Sequence, residues 1–400
     1  PSPGSTPWAP AWSPDGKWIA VAMQGSIWKV DPATGNAYEL TYSEAYHSAP
    51  DWSPDGNWII YTADHNHQQV QLEILNVQTG AVSKLTDDQA VYTDPVFSPD
   101  GSKVAYVSTN PNGYFNLYVR AIANGQWAGE PIAVSRDNDY GNNRLYFGNW
   151  DMHITPSWLP SGEELLLVSN RNVPLGSGNV LRVPAVADGI LQAKTVLAEQ
   201  SLFRTRPDVS IDGKRFIYAS TSGAADQYNN LYVQPTVGGE PYKLTFFQHD
   251  AFHPRWSPDG EWIAFISNAK GLSELTLLET YGGKLIPLPI REQHFMRPTG
   301  VLKVNVVAAD DGRETPNRVH LQAADGKFYA PIDAYARTGT EGDPMFHNAG
   351  EFEVTLPVGD VSMQVVKGFE FYPQQVNAKI TEATVTRLTV TLERMTDMAA

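Results

Sequence analysis

Seven side chains able to bind ligands or carry protons recur at two fixed offsets ahead of a repeated proline. Three residues before that proline stand His47, Tyr92, His153 and Arg204, with Pro7 and Ala251 in the same register. Directly before it stand Asp94, Arg206 and His253, with Ala9, Ala49 and Thr155. The imidazoles of His47, His153 and His253 could hold a metal and leave a coordination position open. Arg204 and Arg206 could instead clamp a carboxylate or phosphate, because a guanidinium presents a rigid fork of donors to such groups. As a third option, these groups are merely solvated and line a water-filled channel. The residues leave the three open, and none of them calls for a cofactor.

The prolines are Pro10, Pro50, Pro95, Pro156, Pro207 and Pro254, and each leads into a short pattern. Its fullest form is Trp52-Ser53-Pro54-Asp55-Gly56, and Trp12–Gly16, Phe97–Gly101 and Trp256–Gly260 match it closely. Two copies depart: Leu159 and Ser161 replace Ser and Asp in the fourth, and Val209 and Ile211 replace Trp and Pro in the fifth. Pro sets φ for the first central residue of a type I turn, Asp suits the next, and Gly accepts the positive φ that returns the chain as a hairpin. A short strand precedes each turn, and an alternating apolar strand such as Trp262–Ile266 follows. Self-similarity at this period predicts four-stranded blades. A blade cannot bury both faces alone, so six copies predict six blades stacked about an axis over residues 1–290. The residues ahead of each proline should then meet at the mouth of a central channel. Each copy runs from inner to outer strand, so little points to a swapped strand closing the ring, though residues 1–7 could supply one.

The Ser-Pro-Asp-Gly turns followed by Ile-Ala or Val-Ala, with the Lys-Leu-Thr tails at 84–86 and 243–245, resemble the TolB-like six-bladed propeller family. That resemblance is specific for fold and weak for function, because one fold hosts many activities.

Residues 291–394 read as about seven short strands, among them Val301–Val306, Val319–Ala323 and Val385–Leu392, hence a β-sandwich. Gly350-Glu351-Phe352, then Leu356-Pro357-Val358-Gly359, resembles the carboxypeptidase regulatory-like, or transthyretin-like, sandwich. A propeller, this sandwich and a tail at 395–400 are together similar to the accessory region of CehA/McbA-type metallohydrolases. That likeness implies a metal-binding catalytic domain beyond residue 400, with a linker beginning at 395. His320, Asp343 and His347 have no convincing ligand spacing. The pair His65 and His67 reads as a polar loop, and the insertion Ser135–Met152 as a surface loop or part of a binding face.

A net charge of −15 argues against nonspecific nucleic-acid binding and against adhesion to an anionic membrane. There is no cysteine, which excludes disulfide and thiolate chemistry. No Gly-x-Ser-x-Gly elbow, phosphate loop or dinucleotide fingerprint occurs, and Asp94 and Asp151 are catalytic candidates by location alone. The expected function is therefore a non-catalytic binding or scaffolding module, periplasmic or secreted. Its channel mouth would take a peptide, a protein or a small anionic ligand; the alternative is the substrate-gating part of a metal-dependent hydrolase. Removing Arg204 and Arg206 should then weaken binding and leave melting nearly unchanged.

Overall fold

The computed structural model describes residues 6–395 apart from 66–68, 137, 139–150, 172, 174–177, 200–205, 223–224 and 340–341. The chain is all-β, and the one helical element described is a single 3-10 turn at Gly189–Gln192.

Residues 8–287 form six successive sheets, each led in by a proline within or directly ahead of its first strand and built outward in chain order. Those first strands are Trp8–Trp12, Tyr46–Trp52, Tyr92–Phe97, His153–Trp158, Asp208–Val209 and Ala251–Trp256. They touch in succession, and the sixth also touches the first. The expected turns form as read. In the second copy Gly56 N–H donates to Ser53 O at 2.9 Å, Asp55 accepts from the Asn57 N–H at 3.0 Å, and Trp58 N–H donates to Ser53 Oγ at 2.9 Å. The fourth copy survives its substitutions because Ser161 Oγ accepts the Glu163 N–H at 3.2 Å, the bond Asp makes elsewhere. Neighbouring turns stack: a Cβ on Gly56 would meet Pro14, one on Gly101 Pro54, and one on Gly213 Pro160.

Apolar residues alternate on both faces of each sheet and meet those of the next, as strand periodicity requires. Each of six apolar clusters is shared by two consecutive sheets. Ile19, Val21 and Trp28 of the first sheet pack with Ala264, Ile266 and Leu275 of the sixth. A further device joins these two sheets. After leaving the sixth, residues Glu292–His294 pair in parallel with the outer strand Asn36–Glu39, making the first sheet five-stranded. The His294 ring stacks on Tyr38 at 4.4 Å. The sequence pattern gave little sign of such a strap, which ends at His294.

The C-terminal residues form eight strands rather than about seven. Three, Thr299–Ala308, Glu351–Pro357 and Val385–Leu392, make one sheet; the other five make a second. Leu302, Val304, Phe352 and Leu392 of the first share a core with Val319, Phe346, Met363 and Ile380 of the second. This unit is bolted to the first two sheets. Lys327, 1% exposed, donates to Gly25 O at 2.9 Å, and Phe328 N–H donates to Tyr46 Oη at 3.1 Å. Arg297 is ion-paired with Glu39 and donates to Tyr329 Oη at 2.7 Å.

The strap leaves no room at Gly35, where φ is +79° and an added Cβ would lie 2.4 Å from Pro289 O. Gly16, with φ +69°, has open space around it. Gly16→Ala should cost about 1 kcal/mol for the left-handed backbone alone. Gly35→Ala should cost about 1–3 kcal/mol more through the forced clash, seen as the larger loss of urea midpoint.

Candidate functional site

The axial site is built by one local irregularity repeated around the sheets. The residue before five of the six prolines adopts a left-handed conformation: φ is +49° at Ala9, +48° at Ala49, +53° at Asp94, +51° at Thr155 and +51° at His253. Strand register slips across the same residues, so these five innermost strands are bulged there. A non-glycine residue held so costs about 1–3 kcal/mol and needs compensation from its surroundings. The proline tolerates the bulge because it needs no ladder acceptor.

The bulge divides the expected ring. Residues three before the proline are packing residues: Pro7, His47, Tyr92, His153 and Ala251 are all buried. His47 does not open onto a channel with the arginines. Its ring nitrogens meet Thr41 Oγ1 at 2.7 Å and Ser43 Oγ at 2.9 Å, and it packs on Tyr61. Burial, with the nearby Lys327 charge, pushes its pKa down to about 3. Tyr92 donates to Asp88 at 2.7 Å. His153 is wholly buried at the start of its strand. Arg204, His67 and most of the 135–152 insertion lie outside the described residues. Asp151, at the end of that insertion, is buried and accepts from Arg171 Nε at 2.6 Å.

Residues next to the prolines do converge. Asp94, Arg206 and His253 come from before the proline; Asp51, Asp208 and Arg255 come from directly after it. The second trio was missed by reading one offset too few. The same register gives Ala11, Asp51, Val96, Ser157, Asp208 and Arg255, and its charges are visible in the sequence.

Arg206, 8% exposed, donates from Nη2 to Pro95 O at 3.3 Å, two sheets away, and so spans the axis. Arg255 Nη1 donates to Arg206 O at 3.1 Å and to Pro254 O at 2.7 Å. Asp51 Oδ2 accepts the Phe97 N–H of the next sheet at 2.8 Å, and Asp208 Oδ2 accepts the Trp256 N–H of its next sheet at 2.8 Å. At two positions without a carboxylate the carbonyl takes an indole instead: Trp158 Nε1 donates to Val96 O at 3.1 Å and Trp12 Nε1 to Arg255 O at 3.2 Å.

The three carboxylates sit deep in protein yet keep partial solvent access, as groups facing a narrow channel do. Burial raises all three pKa values against the pull of Arg206 and Arg255, that of Asp51 to about 6. Burial and both arginines push His253 down to about 3, so it is neutral at pH 7. Among the described residues, no group of three His, Asp or Glu is placed to hold a metal ion.

The TolB β-propeller domain profile matches residues 3–128. The chain thus bears a TolB-like β-propeller domain. An uncharacterized peptidase of Bacillus subtilis, YuxL, is 28% identical over 147 residues, which is 34% of this chain and 22% of that protein. Among solved structures, TolB from Acinetobacter baumannii is 19% identical, with a TM-score of 0.36, across 72% of this chain and 56% of its own. The tricorn protease is 13% identical, with a TM-score of 0.51, across 93% of this chain and 39% of its own. The chain thus spans about a fifth of the peptidase and just over half of that TolB, and such low identities to solved structures speak to fold alone. Among the described residues, no helix is long and apolar enough to cross a membrane.

Two outcomes follow. Arg206→Ala should lower stability by about 3–5 kcal/mol, since it strips a buried cation from buried carboxylates; this replaces the expectation of unchanged melting. Asp208→Ala, which orphans the Trp256 N–H, should cost about 1–3 kcal/mol and Asp208→Asn less, because the amide oxygen still accepts. Urea titration checks both. His47 adds a pH term. A folded pKa of about 3 lies below the unfolded 6.5, so its stabilising contribution is whole above pH 6.5 and lost as pH falls toward 3. His47→Gln should therefore flatten the fall in melting temperature between those limits.

Proposed function

We propose that this chain is a non-catalytic binding and scaffolding module, built as a six-bladed TolB-like propeller with a C-terminal β-sandwich of carboxypeptidase regulatory-like kind. Support for the six-bladed reading comes from six proline-led sheets, six shared apolar clusters and the contact between the sixth sheet and the first. A periplasmic or secreted location belongs to the same proposal.

The observation that carries the binding reading lies beside the prolines. Arg206 Nε, Thr155 Oγ1 and His253 Nε2 are buried polar atoms without a protein partner. Each unmet buried polar group costs about 1–3 kcal/mol, and a ligand that supplies the partner regains it. The favoured ligand is a peptide or an extended protein segment, whose backbone offers donors and acceptors at once. A small anion fits less well, because one Nη of each arginine is engaged by carbonyls and three carboxylates share their space.

A second reading makes the chain the accessory, substrate-gating part of a metal-dependent hydrolase of amidohydrolase or PHP-like type. The buried seam of Glu39, Arg297, Tyr329 and Lys327 favours it, because such a seam would fix a domain attached to the C-terminal strands relative to the channel.

Ligand binding to the folded state alone raises its stability by RT ln(1 + [L]/Kd). A pool of random pentapeptides should raise the melting temperature in a concentration-dependent way, and equal concentrations of citrate or phosphate should raise it less. Indifference to the peptide pool would refute the favoured reading.

A further inference from the structure

We propose that the axial cluster is a receptor for the free amino terminus of a peptide, with the ammonium set among Asp51, Asp94 and Asp208 and the first carbonyl placed on Arg206. This rests on the peptide-binding reading above and specifies its chemistry.

The first argument is the count of formal charge. Among the described residues, three carboxylates stand against two guanidiniums, and His253 is neutral, leaving one negative charge uncompensated. Asp51 lies within electrostatic reach of Arg206, Arg255 and Asp208, and Arg255 within reach of all three carboxylates. The cluster is therefore one electrostatic unit, and the charge it lacks is positive. In a buried setting an unpaired ion is expensive, and a cation that pairs with it is correspondingly favoured.

The second argument is the direction of the hydrogen-bonding groups. Arg206 and Arg255 place Nη donors on Pro95 O, Arg206 O and Pro254 O, so those atoms serve the scaffold. Asp51 and Asp208 each accept one backbone N–H through a single oxygen, Oδ2. A carboxylate has about four lone-pair positions, so both retain acceptors for a multi-donor cation such as an ammonium. Asp94 is likewise held by the Thr155 backbone N–H.

The third argument names the atom that an ammonium alone would leave unmet. Arg206 Nε, on a side chain 8% exposed, is a buried donor without a protein acceptor. Thr155 Oγ1 is also unmet and can donate. A lone cation cannot accept from Nε–H. An ammonium with the carbonyl of its own residue meets both the carboxylates and this donor: the positive end faces the carboxylates and the oxygen accepts from Nε–H.

Calorimetric titration of the full chain tests this with three probes: tetra-alanine amide, its N-acetylated counterpart, and inorganic phosphate. The free-amine peptide should bind, and acetylation should weaken it by about tenfold or more, equivalent to about 1.4 kcal/mol. Asp94→Asn, which keeps an oxygen for the Thr155 N–H, should weaken the free-amine peptide by a similar factor and leave the acetylated peptide unaffected. Equal binding of the two peptides, or tighter binding of phosphate, would overturn the amino-terminal assignment while leaving a binding module standing. Absence of binding by all three probes would remove the assignment and the peptide reading together. Circular dichroism melting of Asp94→Asn separates lost binding from lost folding: an unchanged melting temperature with unchanged peptide affinity also contradicts the assignment.

Discussion

The inner strands depend on a bulge that, at three of its five described occurrences, is tied to the next sheet. At the start of these strands, proline follows a residue in the left-handed region, at Ala49, Asp94 and His253 among others. That conformation is unfavourable on its own. At Ala49, Asp94 and His253 the residue after the proline is also tied to the following sheet, by a carboxylate on a backbone N–H or a carbonyl on an indole. Asp51 to Phe97, Val96 to Trp158, Asp208 to Trp256 and Arg255 to Trp12 are four forms of one clasp. The two chemistries replace each other because both join the same two points.

This clasp explains why several of the axial groups are charged. Asp51 and Asp208 are acceptors for the scaffold first, and Arg206 is a strut across the axis to Pro95. Groups so engaged cannot swing to a reacting atom, yet they fix a constellation of charge with little freedom, as a binding site requires. At the rim the same economy recurs. The strap at 292–294 fastens the last sheet to the first, and Arg297 immediately beyond it ties the C-terminal strands to Glu39 and Tyr329. The axis and the C-terminal unit are thereby connected through the first sheet.

Much of this was legible in the sequence because it is local. Ser-Pro-Asp-Gly encodes a turn through backbone preference and through hydrogen bonds within five residues, so the turns, their spacing and the strands beside them could be read directly. The substitution of Ser161 for Asp was readable as a departure, and the structure shows the hydroxyl accepting the same N–H. The site was only half legible. Alternation along an unbroken strand would send residues three before and one before the proline to one face. The bulge breaks that alternation, so His47, Tyr92 and His153 turn into the packing while Asp51, Asp208 and Arg255 turn to the axis. The strap and the Lys327 seam were not legible, because pairing of Glu292–His294 with Asn36–Glu39 joins segments more than 250 residues apart and leaves no periodic trace.

Native-state hydrogen exchange at the backbone amides of Phe97 and Trp256 tests the clasp most directly. If Asp51 and Asp208 hold the sheets together, these amides open only with global unfolding and share the exchange free energy of the central strand amides. Exchange at rates typical of surface loops, with the central strands still protected, would contradict it.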